Sequence, residues 1–105
     1  MIVVIGRVKA DAEEREAMIR SGQALAAASR GEAGCIDYRL YEDTENEDEF
    51  VFVEEWASDE ALKQHFRTTH MAEFMRSAPA MLVAAPDVKF HEIANTRDLS
   101  EVSEG

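Results

Sequence analysis

The sequence predicts an α+β fold, a ferredoxin-like β-α-β-β-α-β sandwich in which helices cover one face of a four-stranded antiparallel sheet. Three observations predict it. Four runs rich in β-branched and aromatic residues, at 2–10, 35–41, 49–56 and 88–93, are separated by stretches of helical periodicity. The middle two runs are joined by a polar, acidic loop at 42–49 that reads as a hairpin connection. Finally, 105 residues suit one domain, with only two prolines and five glycines to make linkers.

The first run, Ile2 to Ala10, is β-branched from its start and forms strand one. Asp11 offers an N-cap, with Glu14 in the position of a capping box. A helix then extends to about Ser29, with Met18, Gly22, Leu25 and Ser29 along one stripe flanked by Ile19 and Ala26. Gly22 in that stripe lets the helix approach a sheet closely, and Gly31 and Gly34 end it.

After the hairpin, Ser58 caps a second helix, and Asp59 and Glu60 sit where the helix dipole favours acids. Ala61, Leu62, His65 and Phe66 make its apolar face. Thr68-Thr69 interrupts the pattern, and a further helix spans about 70–81 with Met71, Phe74, Met75 and Ala78 inward. Pro79 leaves its last turn open, and Pro86 closes the helical region before strand four. Residues 1–95 form the domain. The acidic tail, 96–105, is expected to be frayed or to lie on a partner.

Strand parity carries a further expectation. Phe50, Phe52, Glu54 and Trp56 point one way and Val51 and Val53 the other, while Ile2, Val4 and Val8 oppose Val3 and Ile5. Helices can cover only one such face. The bare apolar face predicts a homodimer joined through the sheets.

Composition excludes several classes. A net charge of −11, from 11 basic and 22 acidic residues, argues against nucleic acid and against anionic membranes. The apolar start is too short for a signal-peptide core, and no stretch approaches a membrane span. Cys35 is the only cysteine, so no internal disulfide framework exists. A cytoplasmic location is expected.

Gly34-Cys35, Tyr38, Glu54-x-Trp56, Ala61-Leu62, His65 and Thr68-x-His70-Met71 together resemble the antibiotic-biosynthesis-monooxygenase family, and most closely its small quinol monooxygenases. The resemblance implies a dimeric α+β barrel. It also implies a cofactor-free oxidation, without metal or flavin, of a small quinol, phenol or anthrone by O₂. The protein would supply a dry cavity, a base for the phenol, and orientation. Haem-degrading relatives use an asparagine and an axial histidine where Gly6 and Met75 stand, which speaks against haem degradation. Thr69 replaces a proline common in the quinol enzymes.

His65 is the candidate base, since an imidazole near its ordinary pKa can take a phenolic proton. The alternative is a core-edge histidine bonded to a backbone carbonyl. Trp56 is a candidate cavity wall or simply core, and His70 faces either the cavity or solvent. Tyr38 or Tyr41 offers a hydroxyl, with Tyr38 among the candidate substrate contacts together with Phe52, Phe66 and Phe74. Glu54, a carboxylate among phenylalanines, needs a partner, and an ion pair with Arg39 or Arg7 is expected.

The spacing of His65 and His70 crosses a helix break, unlike the pair of a zinc helix, and His91 adds no motif. The acidic hairpin lacks the glycine of a calcium loop. Cys35 has no local base to activate it and reads as a small buried hydrophobe. Two other functions stay open: a proton-shuttling isomerase of a small phosphosugar using His65 and His70, and a dimeric small-molecule-binding protein without turnover.

Overall fold

A computed structural model describes residues 1–104. Strand β1 (Ile2–Lys9) leads through a 3₁₀ turn (Ala12–Glu14) into helix α1 (Arg15–Arg30). The hairpin of β2 (Cys35–Glu42) and β3 (Glu49–Trp56) follows, then helices α2 (Asp59–His65) and α3 (Thr69–Met81), and strand β4 (Asp87–Glu92). The sheet order is β2-β3-β1-β4 and every pairing is antiparallel. This is the predicted ferredoxin-like sandwich.

Three local expectations need correction. Asp11 caps the 3₁₀ turn through the Glu13 amide, so no capping box opens α1. Met75 of α3 is exposed instead of facing inward, while the helix runs through Pro79 to Met81 as expected. The tail is not simply frayed, because Leu99–Ser103 forms a short helix, α4, closed by a capping box between Asp98 and Glu101. Gly105, the last residue of that tail, lies outside the described residues.

The core sits between the helices and one sheet face. Phe50, Phe52, Glu54 and Trp56 of β3 are buried there, as are Ile2, Val4 and Val8 of β1. Met18, Gly22, Leu25, Ala26 and Ser29 form the buried stripe of α1. Gly22 permits the close approach foreseen for it: a Cβ there would meet Leu40 Cδ2 at 2.6 Å and Phe52 Cζ at 3.3 Å. On the opposite sheet face Val3, Ile5, Val51 and Val53 remain half-buried. Among the described residues, no helix is long and apolar enough to cross a membrane.

Candidate active site

A cavity of about 570 Å³ lies between the sheet and α3, within the size range of small-molecule sites. Its walls are mainly apolar, with Phe52, Phe66, Met71 and Phe74 among them, and Gly6 of β1 contributes open backbone. The polar side chains reaching it are Tyr38, Glu54 and His65. Of its lining residues, Val88 and Phe90 of β4 are exposed, as are Phe66 and Met75 of the helical side.

Local chemistry sets His65 in place. Gly34 has φ +82, a left-handed conformation that favours glycine, and a Cβ there would fall 2.5 Å from Ala61 Cβ. Helix α2 therefore seats directly on the turn that starts β2. At the other end Thr68 accepts from the Met71 amide to cap α3 and donates to the His65 carbonyl at 2.7 Å. The break between the helices is thus a fixed corner.

His65 is 1% exposed and packs against Trp56 and Tyr38, with ring centroids 4.7 and 5.4 Å away. Its Nδ1 lies 2.8 Å from Glu32 Oε2, while its Nε2 is buried without a hydrogen-bond partner among the described residues. Burial holds the imidazole below its ordinary pKa, with the Glu32 hydrogen bond and charge opposing the shift and His70 adding to it. The neutral ring then donates from Nδ1 to the carboxylate and keeps a lone pair on Nε2.

His70 approaches the same Glu32 oxygen from the other side, its Nε2 at 2.7 Å. The corner at Thr68 thereby brings together two histidines that their spacing alone keeps apart; His91 takes no part. The three donor atoms lie within 4.8 Å of one another. Contacts of 2.7 and 2.8 Å are hydrogen-bond lengths, shorter than the roughly 3.3 Å between neighbouring ligands of a tetrahedral zinc ion. The group is a hydrogen-bonded triad.

Glu54 departs from expectation. Arg7 and Arg39 pair with Val51 and Val53, on the sheet face opposite Glu54, and Arg39 bonds Asp37 instead. No ion pair forms. The Trp56 indole donates to Glu54 Oε1 at 3.0 Å, and Tyr38, its cross-strand partner, turns a hydroxyl dipole that favours the carboxylate. Burial without a cation pushes the carboxyl up to about 7, against the pull of those two groups. Tyr38, buried beside this carboxylate, is held well above the ordinary phenol range. Burial and nearby acids push the Cys35 thiol up to about 11, which keeps it an unreactive thiol.

Of the predicted site residues, Tyr38, Phe52, His65, Phe66 and Phe74 meet at the cavity. Trp56 and His70 do not reach its wall: Trp56 is wholly buried behind His65, and His70 turns to Glu32. Glu32 escaped sequence reasoning because nothing local marks it; only the tertiary fold brings it to both histidines.

The family model for antibiotic biosynthesis monooxygenase matches residues 1–77. The chain belongs to that family. A Synechocystis protein, sll1783, is 37% identical over 98 residues, covering 93% of this chain and 67% of its own. A Bacillus subtilis relative, which carries the name "Putative monooxygenase YcnE", is 34% identical over 94 residues, 90% of this chain and 99% of that one. The structure of PA3566 from Pseudomonas aeruginosa superposes with a TM-score of 0.79 at 33% identity, covering 91% of this chain and 94% of that one. The chain shares the family's α+β fold, and monooxygenase is the activity that the family name carries.

Proposed function

We propose that the protein is a cofactor-independent monooxygenase that oxidises a small quinol or phenol, including anthrone-type aromatics, with O₂. The observation that carries this is His65: a buried neutral imidazole on an apolar cavity wall, oriented at Nδ1 by Glu32 and with Nε2 unpartnered. Such a nitrogen can take the phenolic proton, which turns the ring into a better one-electron donor to O₂. The apolar walls exclude water from the radical pair and hold the flat substrate. Phe52, Phe66 and Phe74 contact the ring, Tyr38 offers a hydroxyl, and Trp56 and His70 act from behind His65.

The phosphosugar isomerase is disfavoured, because no Lys or Arg lines the cavity to hold a phosphate. Oxygen uptake with a panel of hydroquinones, wild type against His65→Ala, tests the proposal. A loss of about 10²-fold or more is expected for a general base. Equal rates would remove His65 from the mechanism, and no uptake by wild type would favour the binding protein.

The functional unit in this proposal is a homodimer joined through the bare sheet face. Val53→Glu, which puts a charge at its centre, is expected to yield monomer in sedimentation velocity where wild type sediments as a dimer. A wild-type monomer at micromolar concentration rejects the assembly.

A further inference from the structure

Glu54 is another titratable side chain on the wall of the same cavity, and among the described residues no cation pairs with it. The Trp56 indole that donates to it at 3.0 Å and its cross-strand partner Tyr38 are both neutral. Those same two rings pack against His65. The other groups facing it are Cys35 of β2 and Glu32 of the turn after α1, while Arg30 is committed to the Tyr38 carbonyl at 2.8 Å. We propose that Glu54 is the general acid of the reaction, giving the proton with which the second atom of O₂ leaves as water.

This rests on the monooxygenase reading and supplies a step it leaves open. His65 Nε2 takes the phenolic proton, the substrate carbon passes one electron to O₂, and the two radicals join as a peroxide. The imidazolium protonates that peroxide to a hydroperoxide. The carbon then loses its remaining proton to the neutral imidazole, its C–H electron pair forms the new C=O bond, and the O–O bond breaks towards the distal oxygen. Hydroxide is a poor leaving group in an apolar cavity. Protonation by Glu54 converts it to water, and the carboxylate recovers a proton from the His65 imidazolium. In sum the substrate loses two hydrogens and gains one oxygen, and one O₂ yields one water.

An ordinary carboxyl would be ionised at neutral pH and unable to donate. Burial keeps a substantial fraction of Glu54 protonated there. Paired groups with environments tuned in this way mark acid and base assignments.

The test uses the full chain and hydroquinone substrates. Glu54→Gln, which preserves the acceptor for Trp56, is expected to lower kcat about 10²-fold with little change in KM, and to release hydrogen peroxide or accumulate the hydroperoxide. Glu54→Asp, which retains a proton, is expected to keep part of the rate. Difference infrared spectra, independent of turnover, should show a protonated-carboxyl band in wild type that disappears as pH rises through about 7 and is missing in Glu54→Gln. Wild-type kcat and water yield in Glu54→Gln overturn the acid role alone. Failure of wild type to consume O₂ with any quinol overturns the monooxygenase reading and the acid role together.

Discussion

Trp56 lies against His65, ring centroids 4.7 Å apart at 40°, and turns its indole N–H to Glu54. One fully buried side chain thus touches both His65 and Glu54. Trp56→Phe keeps most of the packing but removes the donor. It is expected to destabilise the fold by about 1–3 kcal/mol, the cost of a buried acceptor losing its partner, and to raise the Glu54 pKa further. Denaturant unfolding and carboxyl titration measure the two effects. An unmoved titration would mean that the indole does not stabilise the carboxylate.

Glu32 fixes which nitrogen of His65 carries the proton. Glu32→Gln should lower kcat by about 10²-fold while changing KM little, because it removes the charge that orients and stabilises the imidazolium. His70→Ala leaves the Glu32–His65 bond in place and should cost less than about tenfold. Steady-state kinetics of both variants decide the matter. Equal losses would show that the triad acts as a unit.

Gly34→Ala combines an unfavourable left-handed φ with a Cβ set 2.5 Å from Ala61 Cβ. A loss of about 2 kcal/mol or more is expected. Helix α2 must also shift, carrying His65 with it. Thermal unfolding reads the first effect and kcat the second; a fully stable, fully active variant would refute the seating of α2 on this turn.

The raised Glu54 carboxyl makes stability depend on pH. Between its ordinary 4.5 and its folded value of about 7, the folded protein holds a proton that the unfolded chain has released. Raising pH through that window therefore destabilises the fold, by on the order of 3 kcal/mol, and above it the loss is complete. His65 acts in the opposite sense: its lowered pKa makes stability fall as pH drops below about 6.5. Comparing wild type with Glu54→Gln isolates the first contribution, and the gap between their unfolding free energies should change from about pH 5 to about pH 8. A constant gap would show that burial does not oppose ionisation of Glu54.

Much of the fold was legible because periodicity and turn chemistry are local. The strand parity of Phe50, Phe52, Glu54 and Trp56, the stripe through Gly22 and the Ser58 cap all occur as the sequence implies. The site was legible where a side chain's face follows from its own element, as with His65 and Phe74. It was not where partners come from distant turns. Glu32 joins His65 and His70 across separations of 33 and 38 residues, and no local pattern encodes that meeting. The expected ion pair of Glu54 failed for a reason that strand parity already held: Arg7 and Arg39 sit opposite Val51 and Val53.

The three members of the triad differ in their contact with water. Side-chain exposure rises from 1% at His65 through 12% at Glu32 to 27% at His70. Solvent meets this line of hydrogen bonds at its outer end, while the inner end abuts the apolar chamber. The wall of the chamber is thus hydrogen-bonded to solvent-facing groups on its outer side, while its inner side stays apolar.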